Sequence, residues 1–140
     1  IGPDMLSNPP TLDDFIEIYR KRNNINICKV LMNQSYVSGC GNYLKAEILY
    51  DSKISPWNKI KDLSDSQLTK LYNSFKKIIA KSYQYQGTTL STYKDVQGAK
   101  GNFSQMLKVY QQIQTPSLES VIREKTPDGR TTFWVPTVQK

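Results

Sequence analysis

The chain has 140 residues, with ordinary apolar and aromatic fractions of 38% and 11%, enough for one folded domain with a modest core. Nineteen Lys and Arg against twelve Asp and Glu give a net charge of +7, which favours an anionic partner: nucleic acid, an acidic membrane face or an acidic protein. The absence of histidine excludes Ser-His-Asp and Cys-His catalysis within the chain, and Cys28 and Cys40 are too few and wrongly spaced for a structural zinc site. Both cysteines read as reduced thiols in a reducing, intracellular compartment, the nucleus or cytoplasm. No apolar run approaches the roughly 20 residues of a membrane span, so no membrane partner is expected, and the start does not read as a signal peptide.

Residues 1–10, IGPDMLSNPP, read as a linker with Gly-Pro and Asn-Pro-Pro punctuation. Thr11 is placed to cap a first helix, with Asp14 three residues on; Leu12, Phe15, Ile16 and Tyr19 share its apolar face and Arg20-Lys21-Arg22 close it. Asn26 is placed to cap a short helix carrying Ile27, Val30 and Leu31. A glycine stretch, Ser38-Gly39-Cys40-Gly41-Asn42, interrupts the pattern, and a third helix starts at Asn42 with Leu44 and Ile48 inward. Pro56 and Trp57 mark a turn, and Ser64 with Gln67 forms a capping box for the longest helix, expected over 65–86 and ended by Gly87. Residues 88–102 read as a polar loop with two glycines, followed by a short helix around Phe103–Tyr110. Leu118–Lys125 and Arg130–Val135 then read as two strands around the Pro127-Asp128-Gly129 turn.

Two short stretches carry chemistry. A helix start offers unpaired N–H groups and a positive dipole end, so Gly39-Cys40-Gly41-Asn42 fits an anion cradle; on these four residues alone an ordinary interhelical turn needing positive φ is the favoured reading. Arg130, just past the hairpin turn, can hold a phosphate with two parallel bonds or be a solvated surface residue. The carboxylates are unpersuasive as acids or bases. Glu47 is better suited to receiving N–H groups or a basic neighbour, and no lysine stands in an evidently desolvated setting. No nucleophile has a base beside it.

Taken together, these blocks resemble the C-terminal half of the Fpg/Nei family of DNA glycosylases. Ile1-Gly2-Pro3-Asp4-x-Leu6 is similar to the linker that follows the family's catalytic domain. Leu31-Met32-Asn33-Gln34, followed by Gly39-Cys40-Gly41-Asn42-Tyr43-Leu44-x-Ala46-Glu47-Ile48-Leu49, resembles its helix–two-turns–helix motif, and the Tyr-Leu-x-Ala-Glu-Ile-Leu form is nearest the eukaryotic-type endonuclease VIII-like subgroup. Gly87-Thr88-Thr89-Leu90 with Gly98-x-x-Gly101-x-Phe103 and Val109-Tyr110 resembles the following helix end and loop. Gly129-Arg130-Thr131-Thr132-Phe133-Trp134-x-Pro136-x-x-Gln139 resembles the second strand of the family's zinc finger. Val135-Pro136-Thr137-Val138 stands where that pattern has Cys-Pro-x-Cys, as in the zincless finger of some Nei-like enzymes.

The resemblance implies a mainly α fold: a helix–two-turns–helix bundle over 11–117 after a linker over 1–10, then a zincless-finger antiparallel β-hairpin over 118–140. It implies that Gly39, Gly41, Asn42 and Arg130 hold DNA phosphate, and that Thr88, Tyr93, Lys100 and Asn102 lie near an extruded base. Neither metal nor cofactor is expected. The partner would be damaged double-stranded DNA, bound by a monomer. The family's nucleophile is an N-terminal proline amine with an adjacent Glu, in a β-sandwich domain absent from these residues; Pro3 is internal and its nitrogen is an amide. The chain alone is therefore expected to be inactive, as the DNA-binding half of a bifunctional glycosylase and abasic-site lyase of base-excision repair. The rival reading is a non-catalytic nucleic-acid-binding module on the same motif.

Overall fold

The computed structural model describes residues 1–91 and 104–140, without the side chains of 87–91. Its elements are α1 (Leu12–Arg20), α2 (Ile27–Met32), α3 (Asn42–Asp51), a 3-10 turn (Ile60–Asp62), α4 (Asp65–Ser91), β1 (Ile122–Lys125) and β2 (Thr131–Trp134).

The helices start where their caps predict. The Thr11 hydroxyl accepts the Asp14 N–H at 3.1 Å, and the Asn26 amide oxygen accepts the Cys28 N–H at 2.8 Å. Ser64 and Gln67 complete a reciprocal box: Ser64 N–H donates to Gln67 Oε1 at 2.8 Å, and Gln67 N–H donates to Ser64 Oγ at 3.1 Å. Each cap satisfies a helix-end donor that would otherwise be orphaned. Phe15 and Tyr19 of α1, Ile27 and Leu31 of α2, Ile48 and Leu49 of α3, and Leu68, Leu71 and Phe75 of α4 form the main core. Met5 of the N-terminal segment joins it, because Met5 N–H donates to Ser38 O and Ser38 N–H to Pro3 O, laying residues 3–5 along the glycine stretch.

Helix α3 differs from the others. Leu44, Lys45, Ala46, Glu47, Ile48 and Leu49 are all buried, so it has no solvent face. It runs between α4 on one side and β2 on the other. A helix buried all round needs a partner for every polar side chain, and Lys45 and Glu47 meet that demand in ways described below.

Three expected boundaries move. Gly87 does not end α4, which continues to Ser91. One interior glycine costs only about 1 kcal/mol relative to alanine, too little to stop a helix anchored by a long buried stripe. The loop expected from residue 88 therefore begins no earlier than residue 92. Among the described residues the helix expected around 103–110 extends only over 104–106: the Leu107 N–H still reaches the Ser104 carbonyl at 3.2 Å, but the N–H groups of Lys108, Val109 and Tyr110 point at Glu47 instead of an earlier carbonyl. The strand expected from Leu118 begins at Ile122: the Thr115 hydroxyl accepts the N–H groups of Ser117 and Glu119, and Leu118 takes a left-handed φ of 65°, which curls the chain before it extends.

The two strands pair antiparallel in the register Ile122↔Trp134, Arg123↔Phe133, Glu124↔Thr132, Lys125↔Thr131. Gly129 N–H donates to Thr126 O at 2.8 Å across the tip, and Gly129 takes a φ of +80° to bring the chain back in register. Thr132 and Trp134 face inward, while Phe133 meets Tyr110 edge-on at 5.5 Å. A second small cluster of Ala46, Val109 and Val135 seats the hairpin on α3. Mainly α with a terminal β-hairpin is thus the observed class. No helix of the described residues is long and apolar enough to cross a membrane.

Candidate nucleic-acid interface

The two glycines of the turn do different things. Gly39 takes a φ of +119°, and a Cβ there would stand 2.6 Å from Ile79 Cδ1. The conformation favours glycine, and a Cβ would in addition push the Ile79 methyl aside. Its N–H donates to Gln34 Oε1 at 2.8 Å, while Gln34 Nε2 donates to Cys40 O at 3.0 Å, so one side chain grips the turn from both ends. The Gly39 N–H is therefore taken. Gly41 is the N-cap of α3, with extended backbone, no side-chain cap, and open space where a Cβ would be. Among the described residues nothing accepts from the N–H of Gly41 or Asn42. The end of α3 thus presents free donors at its positive pole beside an unobstructed glycine, the combination that accommodates an anion.

Asn42 lies in the first turn of α3 rather than at its cap. Its Nδ2 donates to Thr131 O at 3.1 Å, and its Oδ1 is buried without a partner. That bond joins the α3 end to the residue after Arg130. Arg130 is exposed at the hairpin tip, and its guanidinium has no ion pair or hydrogen bond among the described residues. Other cations are committed: Arg20 to Asp65 at 2.8 Å and Lys77 to Asp51 at 2.9 Å. The structure therefore brings Gly41, Asn42 and Arg130 to one place. Thr88, Tyr93, Lys100 and Asn102 lie outside the residues whose side chains are described.

Sequence reasoning missed the strongest electrostatic feature nearby. Lys45 is fully buried, contrary to the expectation that no lysine is desolvated, and its Nζ donates to Asp128 Oδ2 at 2.7 Å. The signal was available: Lys45 lies four residues before Leu49 and so shares a face with a core position. Burial alone would raise the Asp128 carboxyl, but bonds from Lys45 and Thr126 overcome it and hold it below its ordinary value. Around this pair, Thr126 and Thr132 share a hydroxyl–hydroxyl bond of 2.8 Å. Glu47 accepts the N–H groups of Lys108, Val109 and Tyr110 at 2.9, 3.0 and 2.8 Å. Burial raises the Glu47 carboxyl, and the three N–H groups offset part of that rise.

The residues at the hairpin do not suit a zinc ion. Val135 is buried among Ala46 and Val109, and no group of three or more His, Cys, Asp or Glu side chains converges among the described residues. Cys28 and Cys40 are buried free thiols in the helical part; burial pushes Cys28 up to about 11 and Cys40 further, so neither offers a ready thiolate.

A short helix, a glycine turn, a buried helix and a docked hairpin, arranged in that order, define a helix–two-turns–helix unit with a finger-like appendage. The family described as the formamidopyrimidine-DNA glycosylase H2TH domain matches residues 1–94, and the chain belongs to it. It is 32% identical to the formamidopyrimidine-DNA glycosylase of Prochlorococcus marinus (strain MIT 9215), covering 99% of this chain and 50% of that protein. It is 31% identical to the enzyme of the same name from Carboxydothermus hydrogenoformans, covering 100% of this chain and 54% of that one. The chain thus spans about half the length of the curated relatives it matches. Among solved structures, a complex between Lactococcus lactis Fpg and DNA containing an abasic site superposes with a TM-score of 0.81 at 27% identity, covering all of this chain and 52% of that one. A viral DNA glycosylase superposes at 0.75 with 28% identity, covering 98% and 49%.

Proposed function

We propose that this chain is the DNA-gripping half of a bifunctional DNA glycosylase and abasic-site lyase that removes oxidised bases. In this reading 1–10 is the linker from a catalytic β-sandwich domain, 11–117 the helix–two-turns–helix domain and 118–140 the zincless finger. The free N–H groups of Gly41 and Asn42 hold one backbone phosphate, and the Arg130 guanidinium holds phosphate from the finger side. Gly39 contributes the shape of the turn. The bond from Asn42 Nδ2 to Thr131 O is the observation that supports this reading best, because it joins the first turn of α3 to the residue after Arg130.

Such contacts position a duplex without reading its sequence. They suit an enzyme that must hold kinked DNA while a base leaves the stack, since a glycosidic bond is inaccessible to attack inside the duplex. Thr88, Tyr93, Lys100 and Asn102 would lie toward the extruded base. The Tyr-Leu-x-Ala-Glu-Ile-Leu sequence and the metal-free hairpin favour the endonuclease VIII-like subgroup, which leans toward oxidised pyrimidines. The nucleophile would be the N-terminal amine of the partner domain.

The test is a salt titration of duplex binding. Arg130→Ala is expected to weaken binding equally across sequences and to lower the slope of log K against log salt by on the order of one unit. Asn42→Ala, which removes no cation and keeps the backbone N–H, is expected to weaken binding with a smaller change in slope, by loosening the tip from the helix start. An unchanged slope in Arg130→Ala refutes the phosphate assignment. Borohydride trapping on abasic DNA is expected to fail with this chain and to succeed once a catalytic domain is joined. If the joined protein also fails to trap, the non-catalytic binding module is the better reading.

A further inference from the structure

A lysine and an aspartate meet where neither reaches water: the side chains of Lys45 and Asp128 are 0% and 4% exposed and 2.7 Å apart. The phosphate grip uses neither. A buried ion pair is a weak source of stability, because the cost of removing two charges from water is comparable with their attraction. Its distinctive property is direction, since a charge pair with saturated hydrogen bonds tolerates one geometry.

The direction set here is that of the hairpin tip. One Asp128 oxygen takes Lys45, and the other takes the Thr126 hydroxyl at 2.6 Å. The Arg130 N–H also points back at this carboxylate. The Arg130 carbonyl accepts from both the Thr126 N–H at 3.0 Å and the Thr126 hydroxyl at 3.1 Å. The Arg130 carbonyl is therefore held by Thr126, which is tied through Asp128 to Lys45, while its guanidinium has no partner among the described residues. Lys45 lies one helical turn from Asn42, whose Nδ2 holds the next carbonyl at Thr131.

We propose that Lys45 and Asp128 are positioning residues for Arg130: the buried pair pins the hairpin tip to the first turn of α3, so that the guanidinium stands over the helix N-terminus where phosphate is gripped. This rests on the phosphate reading given above. The pair links a residue without DNA contact to one with it.

The experiment uses the 140-residue chain and a duplex containing a tetrahydrofuran abasic analogue. The variant is K45M/D128L, which removes both charges and fills the space with apolar atoms, an exchange that buried ion pairs commonly tolerate. It is expected to keep a melting temperature near that of the parent, yet to lose about one unit of salt slope. Adding Arg130→Ala to it is expected to change the slope by less than half of the change seen in the parent. A parental slope with a full Arg130→Ala effect overturns the proposal. The 15N order parameter of the Arg130 amide, measured without DNA, is expected to fall in K45M/D128L; an unchanged value overturns the tether. That readout also separates the two ideas. If Arg130→Ala leaves the parental slope unchanged, the phosphate reading fails while the order parameter still decides whether the pair holds the tip. Should K45M/D128L not fold, Asp128→Asn keeps an acceptor for Thr126 and Arg130 while losing the ionic hold on Lys45. Smaller shifts in the same two readouts support the proposal, and parental values overturn it.

Discussion

Replacing Glu47 with alanine tests how the hairpin is seated. The carboxylate accepts three consecutive backbone N–H groups, from Lys108 and Val109 at 2.9 and 3.0 Å and from Tyr110 at 2.8 Å. These donors have no carbonyl to turn to, because the chain leaves its helical turn at 106. A buried donor left without a partner costs about 1–3 kcal/mol. The Val109 N–H is buried and takes the full cost, while those of Lys108 and Tyr110 are part-buried and recover some through water. The sum is about 3–4 kcal/mol, or roughly 10 °C in melting temperature for a chain of this size.

Glu47→Gln sharpens the argument. Oε2 holds two of the N–H groups and Oε1 one, so a glutamine can keep its oxygen on the Val109 and Tyr110 side. Its NH2 then faces the Lys108 N–H, donor against donor. A loss of about 1–2 kcal/mol is expected, between the parent and the alanine variant. Urea denaturation followed by circular dichroism measures both. A loss below about 1 kcal/mol for Glu47→Ala would mean that water satisfies these donors and that the carboxylate is not what holds residues 108–110.

Other substitutions separate neighbouring roles. Gly39→Ala is expected to destabilise by about 1–3 kcal/mol, mainly from the left-handed backbone because the Ile79 methyl can move aside, whereas Gly41→Ala, which meets nothing, costs under about 1 kcal/mol; thermal melts of both decide it. Cys28 and Cys40 are expected to resist a thiol reagent at pH 8 in the native state and to react together in denaturant, which a colorimetric thiol assay reads directly. The pH dependence has a defined sign. Lys45 and Thr126 hold the Asp128 carboxyl below its ordinary 3.8, so its contribution is present above that value and lost as pH falls through the lowered one. The stability of the parent relative to K45M/D128L is therefore expected to fall on acidification below about pH 4, as measured by urea titrations at several pH values.

Local chemistry was legible in the sequence. Thr11, Asn26 and the Ser64–Gln67 box each mark a helix start because a cap is a bond between near neighbours. The Pro127-Asp128-Gly129 turn was legible for the same reason. Elements that depend on distant partners were not. The chain after Ser104 forms a helix or not according to whether Glu47, about sixty residues earlier, takes its N–H groups. Lys45 passed as an ordinary helical cation because its partner lies eighty-three residues away. Asn42 and Arg130 were each noticed, but only the fold shows that one side chain reaches the residue beside the other.

The hairpin's dependence on α3 follows from how it is attached. A zinc ion would tie the strands of a finger mainly to each other, leaving their placement on the helices to packing. Here the ties run outward. Lys45 reaches Asp128, Asn42 reaches Thr131, and Ala46 packs under Val135. At the far end Gln139 accepts the Val135 N–H at 2.7 Å and donates to Ile54 O at 2.9 Å, closing the C-terminal turn onto the residues after α3. A two-stranded hairpin is marginal by itself, so these contacts supply both its stability and its orientation. Its melting is then not a separate event. The indole of the inward-facing Trp134, whose Nε1 donates to Glu124 at 2.8 Å, and the helical signal of the bundle are expected to follow one transition. A hairpin transition preceding helix loss would mean that the finger is held by its own strands and that α3 only carries it.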